Sequence, residues 1–270
     1  MMVSLKTLSK IGVFILVIAL SVVFLTGGVN TNTSQTTYTS LDELQDKRIG
    51  YVLTGITERM GKEHFPNATR STFNSPMDAI AALQAGHLDG AMVSYPTVFM
   101  VKKSIPELTW IEEPVETTGV GIGVKKGNTA LLNQVNACID ELKSDGTLDD
   151  MISRWYNFEN PNYTMPDIPL PTEGKPLLVC VSLDFEPSCF LNANGDVVGL
   201  DVELAYRIAN YMNRPIKFVD TLAASRPSAL ESGKADIVAA NFAIDPMYEY
   251  VEFSQSYFDL PFMMVVRKGK

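Results

Sequence analysis

A seven-residue string occurs twice in this chain, each time ahead of an apolar run. Leu83-Gln84-Ala85-Gly86-His87-Leu88-Asp89 precedes Ala91-Met92-Val93, and Leu230-Glu231-Ser232-Gly233-Lys234-Ala235-Asp236 precedes Ile237-Val238-Ala239-Ala240. The pattern Leu-x-x-Gly-x-x-Asp reads as a helix end, a glycine free to take the left-handed C′ conformation, a tight turn and a buried strand. One such string says little. Two, each embedded in strand–helix–strand context, argue for two α/β lobes of similar topology.

The surroundings match in both halves. In the first, Lys47–Leu53 is a strand candidate, followed by the turn Thr54-Gly55-Ile56-Thr57. Pro76–Ala85 is a helix candidate, with Ser75 placed to cap it and Pro76 at its first position. In the second, the strand Leu177–Val181 leads to an amphipathic helix over Asp201–Tyr211, with Leu204, Ala205, Ile208 and Tyr211 on one face. The strand Ile216–Val219 and a short helix then lead into the second copy of the string. Parallel strands joined by crossover helices place their ligand site at the strand carboxyl ends. Two such lobes facing each other make a cleft there.

Between the halves lies a stretch with five prolines, residues 160–176, which forbids helix and disfavours central strand. It reads as an extended linker between a lobe at 40–159 and a lobe at 177–270. The glycines of Gly119-Val120-Gly121-Ile122-Gly123 suit a strand that crosses a hinge, and they are not a dinucleotide fingerprint. Two return helices follow within 129–156, the first over Leu131–Leu142. Trp155-Tyr156 reads as core. The alternating run Phe258–Val266 reads as a strand crossing between lobes.

Lys6 and Lys10 precede an uncharged apolar run, Ile11–Leu25, and small residues follow. Residues 1–27 therefore read as a secretory signal, with an uncleaved membrane anchor as the rival. Residues 28–39 read as a polar tether. Either reading makes the remainder extracytoplasmic. A net charge of −9 disfavours nucleic acid, whose affinity rests on Lys and Arg neutralising phosphates. Three cysteines make no disulfide scaffold, although a Cys180–Cys189 bridge stays conceivable. Two histidines, His64 and His87, read as surface residues, and no zinc site or cofactor is expected.

Four segments together resemble a known family. Gly199-Leu200-Asp201-Val202-Glu203-Leu204-Ala205 looks like its first-helix signature, and Leu230–Asp236 like the turn before its next strand. Val251-Glu252-Phe253-Ser254-Gln255-Ser256-Tyr257 is similar to its Val-Asp-Phe-Ser-x-x-Tyr run. Lys143-Ser144-Asp145-Gly146-Thr147-Leu148, with Trp155-Tyr156, is similar to its C-terminal helices. The family is that of the family 3 extracellular solute-binding proteins, which serve polar amino acid ABC importers. The resemblance implies an α/β, two-lobed, periplasmic-binding-protein-like (type II) fold, each lobe a sheet flanked by helices. Its order here is swapped, as in a circular permutation in which Asn157–Pro176 joins the old ends. A rival account is the second half of one binding domain followed by the first half of another. Permuted domains of this kind occur fused ahead of a permease, so the implied partners are a small polar ligand and ABC permease membrane subunits, in trans or fused downstream.

The resemblance also implies a site. An aromatic in the loop after the first strand stacks on the ligand, and here that is Phe185 or Phe190, with Asp184 beside them. Asn241, Phe242 and Ala243 take the place of the family's backbone and hydroxyl groups. The family's carboxylate-clamping Arg falls on Met247 or Tyr248, so that clamp is absent. Gly55 and Thr57 belong to a loop whose amides open a helix, a ready anion site. Ser94 stands where the family places its ammonium-binding Asp. Each charged hydrogen bond is worth roughly 1.5–3 kcal/mol, so losing two weakens affinity about a hundredfold or more. Asp184, Glu186 or Arg226 compensates, or the ligand is not a zwitterionic amino acid, or tight binding is lost. The reading favoured is a transport receptor, not an enzyme. The alternatives are a sensor ectodomain and a dehydratase resembling the cyclohexadienyl type. The latter needs a placed acid/base pair, and these loops offer Asp184 and Glu186 but no His.

Overall fold

A computed structural model describes residues 37–159 and 163–269. The signal or anchor read at 1–27, the tether up to residue 36, and residues 160–162 of the linker lie outside the described residues. No described helix is long and apolar enough to cross a membrane.

The first half runs β1 (Arg48–Val52), α1 (Gly55–His64), β2 (Thr69–Phe73), α2 (Pro76–Gln84), β3 (Gly90–Ser94), α3 (Tyr95–Ser104), β4 (Leu108–Trp110), β5 (Glu116–Val120), β6 (Gly123–Lys125), α4 (Thr129–Ser144) and α5 (Thr147–Trp155). The second half runs β7 (Leu177–Val181), β8 (Asp184–Phe185), β9 (Cys189–Leu191), β10 (Val197–Val198), α6 (Leu200–Tyr211), β11 (Ile216–Asp220), α7 (Arg226–Glu231), β12 (Ile237–Val238), β13 (Val251–Phe253) and β14 (Phe258–Arg267).

These elements form two lobes, each a mixed sheet flanked by helices. One sheet has the order β2-β1-β3-β14-β4, with β5 also paired to β14. The other has the order β11-β7-β12-β6-β13. In each, the first three strands are parallel: β1 with β2 and β3, and β7 with β11 and β12. The sheets exchange strands. β6 follows the first-sheet strands in sequence yet pairs antiparallel with β12 and β13. β14 follows the second-sheet strands yet pairs antiparallel with β3, β4 and β5. The chain thus crosses between lobes at Gly121-Ile122 and again at Ser254–Tyr257.

The repeated string builds the same joint twice. Gly86 and Gly233 have φ of +81° and +74°, the left-handed turn a glycine adopts without a Cβ penalty. The Asp that follows then fastens the turn to the first strand of its own sheet. The Arg48 backbone N–H donates to the Asp89 carboxylate at 3.1 Å, and the Leu178 N–H donates to the Asp236 carboxylate at 3.1 Å. Each carboxylate also takes an arginine, Arg48 at 2.7 Å and Arg214 at 2.9 Å.

Helix α2 begins as its sequence requires: Ser75 accepts from the Asp78 N–H at 3.2 Å, with Pro76 in the first turn. The run at Ile237–Ala240 behaves differently from its reading as one strand. Pairing ends at Val238, because the backbone turns at Asn241, whose φ is +51°. His64 is half-buried beside Glu116 at 3.0 Å rather than a free surface residue. All three cysteines are buried and reduced, so no Cys180–Cys189 bridge forms. The proline-rich segment is strapped to the second lobe: Asn210 donates to the Pro169 carbonyl at 2.7 Å, and the Tyr163 ring stacks on Trp155 at 5.8 Å.

The second return helix, α5, docks on α6 through a buried charge. The fully buried Glu203 carboxylate accepts from the Trp155 indole N–H at 2.7 Å, from Arg154 at 2.9 Å and from Arg207 at 2.7 Å. Removing one partner of a buried ion pair leaves the others uncompensated. Glu203→Ala is therefore expected to destabilise the fold by about 3 kcal/mol, read as a lowered midpoint in urea unfolding.

Candidate functional site

The carboxyl ends of the parallel strands in both sheets converge on one crevice. The first lobe contributes Val52 at the end of β1, Thr54, Ile56 and Thr57 at the start of α1, Pro76, the β3 residues Met92, Val93 and Ser94, and Phe262 of β14. The second contributes Phe185 of β8, Arg226 at the start of α7, the segment Asn241–Ala243 and Tyr248. The free space between them is about 30 Å³, room for a water or two.

Seven of the ten residues singled out from sequence meet here: Phe185, Asn241, Phe242, Ala243, Tyr248, Thr57 and Ser94. Of the two aromatic candidates, Phe185 faces the crevice. Phe190 is 8% exposed and packs edge-on against Trp155 and Tyr163 in the core. Asp184 is exposed and does not line the crevice. Gly55 sits where the lobes nearly touch: a Cβ there would come within 2.7 Å of Met247.

The start of α1 is largely satisfied by its own chain. The Thr57 N–H donates to the Thr54 hydroxyl at 3.4 Å and the Thr54 N–H donates to the Thr57 hydroxyl at 3.3 Å, closing a capping box, while the Thr57 hydroxyl itself donates to the Val52 carbonyl at 2.5 Å. Tyr248 comes across from the other lobe, its hydroxyl facing the Ile56 backbone N–H, and burial raises its pKa. The anion site expected of this loop is thus narrowed by the protein's own groups.

Asn241 is held in its left-handed conformation from behind. Its N–H donates to the Asp201 carboxylate in a short hydrogen bond, and the Tyr257 hydroxyl donates to the other oxygen at 2.6 Å. So the Asp of the first-helix signature does not reach the crevice; it fixes the backbone that does. Burial lifts its carboxyl from 3.8 to about 6, against the pull of those two donors.

Arg226 was named from sequence only as a compensating group. It is 3% exposed. Its Nε donates to the Ser182 hydroxyl at 3.0 Å, and the guanidinium lies 4.9 Å from the Phe185 ring centroid and 6.0 Å from that of Phe242. Among the described residues its Nη2 has no hydrogen-bond partner. Burial drives its pKa below the usual guanidinium range. The sequence signal, an Arg-Pro pair opening a short helix, does not distinguish a crevice residue from a surface one.

A second arginine bridges the lobes. Arg59 on α1 donates to the buried Asp245 carboxylate at 2.8 Å and to Glu116 at 2.6 Å.

The model of the bacterial extracellular solute-binding proteins, family 3, matches residues 28–158 and 177–270. The ABC transporter arginine-binding protein 1 of Escherichia coli K12 is 28% identical over 125 residues, 44% of this chain and 51% of the relative. The L-cystine-binding protein TcyJ of the same strain is 26% identical over 121 residues, 44% of this chain and 46% of the relative. This chain therefore spans about half the length of the curated relatives it matches. The ligand-binding component of an ABC-type import system from Staphylococcus aureus, solved with zinc bound, aligns at 13% identity over 82% of this chain and 65% of that one, with a TM-score of 0.44.

The Asp201 carboxyl sets a pH test. Between about pH 4 and pH 6 the unfolded chain releases a proton that the folded chain keeps, so this group's stabilisation is full at the low end and lost as pH rises through 6. A gap of about two pH units is worth roughly 3 kcal/mol. Relative to Asp201→Asn, the wild type is expected to gain about that much stability from pH 7 to pH 4, measured by urea unfolding at each pH.

Proposed function

Since the chain belongs to the bacterial extracellular solute-binding proteins of family 3, we propose that it is the solute-capturing receptor of an ABC importer, working outside the cytoplasm. It traps a small polar solute between two lobes and presents the closed form to permease membrane subunits. The observation that carries this reading is the crevice at the facing strand ends, spanned by two crossings that let the lobes swing as bodies. The family is one of binding proteins, and the chemistry asked of the crevice is recognition rather than turnover. Amino acids are the first class to screen, because the relatives' names give arginine and cystine as what those proteins bind.

Calorimetry of the purified chain against amino acids, oligopeptides and organic acids tests this. At least one class is expected to bind with a 1:1 stoichiometry and to quench or enhance tryptophan fluorescence. Silence across all three classes removes the receptor reading.

The order of elements supports a circularly permuted domain. Each half lends one strand to the other's sheet, so neither sheet is complete without both halves. The described ends meet, the Gly269 N–H donating to the Thr37 hydroxyl in a short hydrogen bond. A re-permuted chain, with residues 177–269 first and a short linker into 37–159, is expected to fold with the same near-ultraviolet circular dichroism and ligand preference. A product that stays unfolded argues for the rival account, two half-domains from a longer tandem protein.

A further inference from the structure

The crevice carries one formal charge. Among its lining residues Arg226 is the sole ionisable side chain charged at neutral pH; none is Asp, Glu, Lys or His. A buried guanidinium with no carboxylate hydrogen-bonded to it is expensive, even with Asp184 and Asp201 acting on it at longer range, and proteins retain such groups where a ligand completes them. The geometry shows how completion would occur. Nε is spent on Ser182, the faces lie near the Phe185 and Phe242 rings, and Nη2 remains without a partner. That leaves the N–H groups of Nη2, at one end of the planar fork, which suit a carboxylate oxygen.

The surrounding carboxylates are committed elsewhere. Asp201 takes the Asn241 N–H and the Tyr257 hydroxyl. Asp245 takes Arg59 and the Met247 N–H. Asp184 is exposed and stands outside the lining, and it acts on Arg226 only as a charge at longer range, with no hydrogen bond between them among the described residues. No carboxylate among the lining residues is left to receive an ammonium group. The rest of the wall is mostly apolar, with the Phe185, Phe242, Tyr248 and Phe262 rings beside Val52, Ile56 and Met92.

We propose that Arg226 is the charge anchor of this crevice and that the solute is a small organic acid with an apolar body and no ammonium group. The proposal rests on the crevice being the solute site. A zwitterion would bring its ammonium into a wall that offers hydroxyls and an amide but no negative charge, and would lose that hydration without replacement. A simple carboxylate loses only what Arg226 returns.

Matched pairs test it: phenylalanine against 3-phenylpropionate, leucine against 4-methylpentanoate, and the methyl ester of each acid, by calorimetry on the full chain. The deaminated acids are expected to bind at least tenfold tighter than their amino acids, and the esters not at all. Arg226→Met should abolish acid binding, at least a hundredfold, while the melting temperature holds or rises, because an unpaired buried charge has been removed. Ser94→Asp, which puts a carboxylate into the wall from the first lobe, should shift the preference toward the amino acid of each pair.

Amino acids binding as tightly as their deaminated partners overturn the proposal while leaving the receptor reading intact. So does acid binding that survives Arg226→Met, or a Ser94→Asp variant with unchanged preference. If neither member of any pair binds and the wider screen is also silent, the receptor reading falls and the proposal with it.

Discussion

The two lobes are held in one molecule by a pair of antiparallel crossings, and the rest of the architecture depends on how these are bonded. The chain leaves the first sheet at Val120 and enters the second at Gly123; it returns from Phe253 to Phe258. Between those points the segments bond to each other. The Ser254 N–H donates to the Ile122 carbonyl at 2.9 Å, the Ser254 hydroxyl accepts from the Ile122 N–H at 2.9 Å, and the Tyr257 N–H donates to the Val120 carbonyl at 3.0 Å. Backbone polar groups that would otherwise be buried unpaired are thus satisfied within the crossing. Small changes of φ and ψ there can turn one sheet against the other without breaking either ladder. Gly119 and Gly121 permit the close pass, since a Cβ on either would press on Ser256 or Ile244 at 2.7 and 3.1 Å.

Buried charge is distributed by a consistent logic. Glu203, Asp201 and Asp245 all lie within the protein, and each is met by at least one donor from a different element: two arginines and an indole, a tyrosine and a backbone amide, an arginine and a backbone amide. Each carboxylate joins parts distant in sequence, so each acts as a fastening of the fold. Arg226 is the exception, with a hydroxyl partner and two aromatic faces but no carboxylate hydrogen-bonded to it among the described residues. Structural charges are satisfied within the fold; this one faces the crevice.

Much of the fold was legible because its signals are local. The left-handed glycine, the cap at Ser75 and the helix periodicities of α4 and α6 depend on neighbours a few residues away, although Tyr211, read onto the apolar face of α6, is exposed at the helix end. The strand exchange was visible in outline, from the glycines at 119–123 and the alternation at 258–266. The site was legible in part. Phe185, Asn241 and Ser94 fall where a strand end or the loop beyond it must point, whereas Phe190, two residues into the next hairpin, turns into the core against Trp155. Arg226 carries no local mark of its role. Its position is decided by how α7 packs over Ser182 and the two phenylalanines, a tertiary fact. The loss of the expected arginine near Met247 reads from sequence as a missing anchor, when the structure holds a guanidinium on another element.

Two arginines act on lobe closure with opposite signs. Arg59 gains its Asp245 partner when the lobes meet, and Asp245 is nearly fully buried, so that contact favours closing with any solute or none. Arg226 lines the same crevice with no carboxylate hydrogen-bonded to it among the described residues, so closing over it with no anion present carries a desolvation cost that opposes closing. An anion in the crevice removes that opposition and leaves the Arg59 contact unchanged. The free energy by which a solute shifts the equilibrium is its differential interaction with the two forms. Here that difference is concentrated on one guanidinium. Selectivity and closure therefore run through the same group: a solute without a negative charge leaves Arg226 unpaired and does not relieve the cost, however well its body fits the aromatic wall.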